Sequence, residues 1–65
     1  MIIAQYYYCV VNKTFPIKFY DFEMDEYDDL EFHCLMSKEM GELSIEHSDE
    51  PDDYRIIPVR VSYEI

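Results

Sequence analysis

Apolar and polar positions keep a clear order at the two ends of the chain and lose it in the middle. Residues 2–11, IIAQYYYCVV, are dense in Ile, Val and Tyr, side chains that suit a pleated surface. Ile2, Ala4, Tyr6, Tyr8 and Val10 fall on one face of such a strand, and Ile3, Gln5, Tyr7, Cys9 and Val11 on the other. Both faces are largely apolar or aromatic, which predicts a central strand or one covered on both sides. The stretch NKTFP interrupts it with the turn residues Asn12 and Pro16. Residues 17–22, IKFYDF, then resume as a second strand, most simply paired with the first in a hairpin. At the other end, residues 54–65, YRIIPVRVSYEI, predict a long strand. Pro58 inside it points to an edge or a bulge, because proline has no N–H to contribute to a ladder.

The middle carries two competing patterns. No Val, Ile or Thr occurs from residue 18 through residue 44. Residues 25–40, DEYDDLEFHCLMSKEM, open on acids, carry Lys38 near their end and precede Gly41, the only glycine. Those are helix start and stop signals. On that helix Tyr27, Leu30, Cys34 and Ser37 share a face. LEFHCLM also alternates as a strand would, with Leu30, Phe32, Cys34 and Met36 on one side. Residues 42–47, ELSIEH, alternate Leu43, Ile45 and His47 against polar neighbours and predict a short half-buried strand; SDEPDD, residues 48–53, reads as an acidic turn. The fold class predicted is α+β: a single compact domain over 1–65, an antiparallel sheet with one helix in the order ββαββ. The alternative is an all-β meander of five short strands.

Size limits what such a domain can hold. A chain this short buries only about 60% of the surface its unfolded form exposes, so stability is marginal. Small folds commonly compensate with disulfides, a metal or a partner subunit. An apolar fraction of 49% and eleven aromatic residues still favour a folded unit over a disordered tail. Cys9 and Cys34 are the only cysteines; one disulfide is open to them, but a buried thiol is the commoner state. The apolar N-terminal stretch lacks a basic lead, is interrupted by three tyrosines and is too short to span a bilayer. A cytoplasmic protein without a membrane association is the expectation.

Charge changes the picture most. The chain carries fifteen acids against five bases, a net charge of −10. Residues 21–53 hold fourteen of the acids and only one base, Lys38. Seven carboxylates crowd into YDFEMDEYDDLEF, residues 20–32: Asp21, Glu23, Asp25, Glu26, Asp28, Asp29 and Glu31. A second group comprises Asp49, Glu50, Asp52 and Asp53. Like charges at this density oppose the compact state while favouring solubility and fast association with basic partners.

Motifs for chemistry are missing. The chain contains no phosphate-binding loop, no dinucleotide fingerprint, no nucleophile elbow and no zinc-protease helix motif. Cys9, His33, Cys34 and His47 follow no zinc-site spacing. A calcium loop begun at Asp21 fails, since its sixth residue is Glu26 and its twelfth Phe32. These observations predict a non-enzymatic protein with no cofactor and no metal. Direct binding to nucleic acid is disfavoured, because it draws on Lys and Arg against phosphates.

A solvated acidic surface is the plain reading of the acids, yet solubility needs far fewer charges. A basic partner surface accounts for the excess. Carboxylates three or four apart on a helix lie about 5–6 Å apart, and alternate strand positions about 6.5–7 Å apart. Duplex DNA carries about one charge per 1.7 Å of axis over its two strands. A ridge of Asp and Glu therefore approximates a phosphate rail. The candidate partner-binding residues are the eleven carboxylates of the two groups together with Tyr27. Tyr20, Phe22 and Tyr27, interleaved with the acids, are candidate apolar anchors, since aromatics dominate interface energetics; they are equally candidates for the core, which is the first reading for Phe22.

In its short chain, acid-dominated surface, abundant tyrosine and absence of catalytic motifs, the protein resembles the small inhibitor proteins of bacteriophages. These include DNA mimics aimed at restriction or repair enzymes and anti-CRISPR proteins that block nucleic-acid sites of effector complexes. The resemblance implies a stoichiometric inhibitor of a bacterial nuclease or CRISPR effector subunit, acting in the host cytoplasm. It rests on overall character and assigns no residue a role. Two other readings stand beside it: an acidic antitoxin or regulatory partner of a basic enzyme, and a small structural subunit acting through self-association. A homodimer is compatible with all three.

Overall fold

The computed structural model describes residues 1–65. Four strands, β1 (Ile2–Asn12), β2 (Phe19–Tyr20), β3 (Glu26–Tyr27) and β4 (Tyr54–Glu64), form one antiparallel sheet of order β3-β2-β1-β4. One helix, α1 (Lys38–Glu46), and single 3₁₀ turns at Phe32–Cys34 and Pro51–Asp53 complete the chain. The α+β class with one helix on an antiparallel sheet is that predicted from the pattern.

Strand β1 is central, as its doubly apolar pattern requires. It pairs with β4 over its whole length, from Ile2 opposite Glu64 to Asn12 opposite Tyr54, without a bulge. Its other edge meets β2 only at Val10 and Val11, opposite Tyr20 and Phe19. A single bridge at Tyr8 adds Met36 to that edge. Strand β4 is an edge strand, which explains Pro58: it sits opposite Tyr8, whose own N–H is turned away toward Met36. The imide nitrogen of Pro58 therefore faces outward, where no ladder bond is lost.

The core is confined to one end of the β1–β4 pair. Cys9, Val10, Val11 and Cys34 are fully buried, and only eight residues in all are buried, so a few side chains carry the packing. On one face Val10, Tyr20 and Met36 form a cluster, with Met24, Ile45 and Tyr54 against it. Helix α1 covers this face. Its Gly41 lies so close to β4 that a Cβ there would stand 3.3 Å from Ile56 Cδ1. Alternation turns Cys9 and Val11 to the opposite face. Tyr27, in register with Phe19 and so on that same side, meets the His33 ring edge-on at 4.8 Å.

Four local expectations are corrected. The helix predicted over 25–40 is found at 38–46, and Glu26–Tyr27 is instead a strand paired with β2. In a helix the acids of 25–31 would face one another at three- and four-residue spacing, which repels. Ser37 offers a better start, because its hydroxyl accepts the Met40 N–H at 3.2 Å. The strand predicted over 42–47 is accordingly helical. Gly41, read as a helix stop, lies inside α1, where the missing side chain admits Ile56. The second strand, predicted over 17–22, is trimmed to Phe19–Tyr20 by polar side chains at both ends. Asn12 Oδ1 accepts the Lys18 N–H at 2.9 Å before it. Asp21 turns the chain away after it.

The sheet is longer than its core. The molecule measures 43 × 24 × 16 Å, and its radius of gyration is 12.4 Å, against about 11 Å for a compact chain of this length. The excess is the outer half of the β1–β4 ribbon, where Ile2 and Tyr6 are each 69% exposed.

Candidate functional site

The acidic run begins with a turn that its own first acid builds. Asp21 Oδ1 accepts the backbone N–H groups of both Glu23 and Asp25 at 2.9 Å. The Met24 N–H donates to the Asp21 carbonyl at 2.9 Å, and Met24 takes a left-handed φ of 66°. This reverses the chain between β2 and β3. Asp21 is half-buried and structural, whereas Glu23 and Asp25 are carried outward on the loop.

Two further acids of the run, Glu26 and Asp28, also have side-chain partners. Glu26 accepts a hydrogen bond from the Tyr20 hydroxyl at 3.0 Å. Asp28 pairs with Lys18 across β2 and β3. That bond and the Glu26 and Asp28 charges hold the ammonium of Lys18 above its ordinary range, against the opposing effect of desolvation. The Glu31 carbonyl accepts the Cys34 N–H at 3.0 Å and opens the first 3₁₀ turn, leaving its carboxylate exposed. Asp29 is exposed and makes no hydrogen bond or ion pair with another residue.

Two tyrosines show how the acids are distributed. Burial pushes the Tyr20 hydroxyl up to about 12, reinforced by the bond to Glu26 and by the charges of Glu26 and Asp53. Burial also raises Tyr27, with Asp21, Asp25 and Glu31 adding to it. Tyr20 and Tyr27 occupy opposite faces of the sheet, because they pair with Val10 and, through Phe19, with Val11. The first run therefore wraps around the short edge strand β3. It does not form one straight ridge.

The second group joins the first on the Tyr20 face. Tyr54 stacks edge-on against Tyr20 with ring centres 4.9 Å apart. Asp53, immediately before Tyr54, lies close enough to raise Tyr20 together with Glu26. Behind this contact, Met24 from the β2–β3 loop and His47, Asp49, Glu50 and Tyr54 line a hollow of about 420 Å³. Glu50 is held above the usual carboxylate range, first by a hydrogen bond with Asp53 and then by the charges of Asp53 and Asp49. Asp52 is exposed on the 3₁₀ turn. The two acidic segments thus adjoin at one end of the molecule, around Tyr20 and Tyr54. Phe22 is 56% exposed on the connecting loop, outside the core.

The position of α1 adds acids beyond the twelve predicted residues. Glu39, Glu42 and Glu46 are exposed and stand three and four apart on the helix. That spacing aligns them along one stripe about 5–6 Å apart. It is visible in KEMGELSIEH once that segment is read as a helix. Helical three- and four-residue spacing of carboxylates thus occurs on α1 and not within 25–31.

Cys9 and Cys34 are free, buried thiols. Burial, and after it the neighbouring Cys34, push Cys9 up to about 11. No three His, Cys, Asp or Glu side chains converge to hold a metal ion. No helix is long and apolar enough to cross a membrane. The chain matches no protein-family model, no curated protein and no solved structure.

Proposed function

We propose that this protein is a non-enzymatic inhibitor that binds the basic nucleic-acid-binding surface of a bacterial nuclease or CRISPR effector. Its contact surface is the acidic end of the domain, and it acts in the host cytoplasm. The observation that carries this reading is the meeting of residues 21–31 with residues 49–53 around Tyr20 and Tyr54, away from the tip of the β1–β4 ribbon, where Glu64 is the one acidic side chain. Repulsion of this kind opposes folding, and a cationic partner surface would relieve it on binding. The exposed Phe22, set among Asp21, Glu23 and Asp25, supplies an apolar anchor there. Direct binding to nucleic acid is not part of the proposal, since like charges would repel.

The test is capture of partners from a bacterial lysate on the tagged chain, with elution by a salt gradient. A nuclease or effector subunit released by rising salt and displaced by DNA is the expected result. Reversal of Glu23, Asp25 and Asp29 to lysine should then abolish capture while the circular dichroism spectrum is retained. Capture that survives those reversals would reduce the acids to a solvated surface.

A further inference from the structure

One stretch of backbone in the sheet has donors and acceptors but no partner. Tyr8 donates its N–H to Met36 O at 2.8 Å and accepts the Met36 N–H at 2.9 Å, so even-numbered β1 residues turn their peptide groups away from β4. The bonds between Met1 and Ile65 at 2.8 and 2.9 Å confirm that odd-numbered residues face β4. Val10 spends its outward groups on β2 and Tyr8 on Met36. Ile2, Ala4 and Tyr6 have no strand beside them. Natural sheets blunt such an edge with Lys, Pro or a bulge. Here residues 2–11 contain no charged side chain and no proline. The opposite edge of the same ribbon is blunted, by Pro58 in its outward position with Arg60 following.

We infer that the free edge of β1 pairs with the same edge of a second copy, giving an antiparallel, two-fold symmetric dimer centred on Ala4. In this register Ala4 faces Ala4 of the partner subunit and Ile2 faces Tyr6 of the partner subunit. The three outward-facing positions form three pairs, each exchanging two backbone bonds. The set is self-complementary, as a two-fold interface must be. The pairing places a β-branched side chain against an aromatic one at both ends, a favourable cross-strand combination. The four-stranded ribbon so formed continues the apolar stripe of Ile3, Tyr7, Val59 and Val61 across both copies. Charge selects the same arrangement. The two acidic groups, residues 21–31 and 49–53, lie at the β2–β3 end, and only Glu64 opposite Ile2 and Glu39 beside Tyr6 lie near the joint, so a joint through the ribbon tips keeps the two acidic ends apart. Pro58 on each outer edge closes the assembly at two and prevents a growing sheet. This inference does not depend on the proposed inhibitory role.

The test is the molar mass of the full chain by light scattering coupled to size exclusion, with two variants. The native chain should run at twice its 7.9 kDa. Ala4→Pro removes an outward N–H and fixes the local φ, takes no donor from the β1–β4 ladder, and should give the monomer mass with the circular dichroism spectrum of the native chain. Ala4→Cys brings two thiols to strands whose facing Cα atoms are about 5.5 Å apart, inside the span a disulfide bridges. Mild oxidation should therefore link it into a covalent dimer, while Tyr6→Cys, displaced from the two-fold axis, should stay unlinked. A monomeric native chain at all concentrations, or a dimer that persists in Ala4→Pro with no Ala4→Cys link, would overturn the inference. So would a monomeric chain whose edge is needed only for capture of another protein.

Discussion

Asp21 and Asp25 have the same side chain, lie four residues apart in the same acidic run, and should respond to deletion with opposite signs. Asp21→Ala removes the acceptor of two backbone N–H groups, each at 2.9 Å. Bonds to a charged group contribute about 1.5–3 kcal/mol each, and for a half-buried carboxylate the low end applies, about 3 kcal/mol for the two. Relief of repulsion from Glu23 and Asp25 returns about 0.5 kcal/mol for each neighbour. The net loss is about 2 kcal/mol. The turn also holds Met24 at a φ of 66°, a conformation that a non-glycine residue adopts only when its surroundings enforce it. Asp25→Ala breaks no side-chain bond and should leave stability unchanged or raise it by a few tenths of a kcal/mol. Asp21→Asn, which keeps an acceptor oxygen, should fall between the two. A domain of this size has about 3–5 kcal/mol in reserve, so Asp21→Ala should lower the melting temperature by about 8–16 °C. Urea unfolding followed by far-ultraviolet circular dichroism measures both variants. Equal midpoints for Asp21→Ala and Asp25→Ala would refute the structural role of Asp21 and the reversed turn built on it.

Two further predictions concern the two layers of the core. Gly41→Leu places a side chain where even a Cβ stands 3.3 Å from Ile56 Cδ1 and 3.6 Å from Met36 Sδ. It should destabilise by about 1–3 kcal/mol through overpacking, measured by the same urea titration; unchanged stability would mean that α1 does not dock on Ile56. Cys9, pushed up to about 11 from an ordinary 9.0, stays a thiol in the folded state at a pH where the unfolded chain ionises. The folded state therefore holds the extra proton, and stability should fall as pH rises from about 9 through 11, by roughly 1.4 kcal/mol per unit at most. Thiol labelling at pH 8 should be slow in native protein and fast in urea, and rapid native labelling would contradict the buried position of both cysteines.

How far the fold was legible follows from where periodicity is strong. In IIAQYYYCVV, apolar side chains on both faces announce a central strand, and Pro58 in RIIPVRVSYEI announces an edge, because both statements depend on local chemistry alone. The middle was ambiguous because its signals conflict at short range. The acids, Lys38 and Gly41 imitate a helix over 25–40. The segment that does become helical, Lys38–Glu46, carries its cap at Ser37 and its glycine in the interior, where only the approach of Ile56 explains it.

The acidic surface divides in the same way. Sequence by itself determined the amount and sign of the charge and its concentration between residues 21 and 53, since these are sums over side chains. It also set the absence of any charged residue along β1. Only the tertiary structure decided which acids are structural, because Asp21, Glu26 and Asp28 acquire their partners through the turn and through cross-strand register. Tertiary structure likewise brought Asp53 beside Tyr20 and aligned Glu39, Glu42 and Glu46 on a helix. It also left the edge of Ile2, Ala4 and Tyr6 open. A one-dimensional pattern specifies which faces of an element are apolar. Which element then covers each face, and which edge stays bare, depends on how strands of unequal length meet. Here an eleven-residue strand is paired on one side along its whole length and on the other at only three positions.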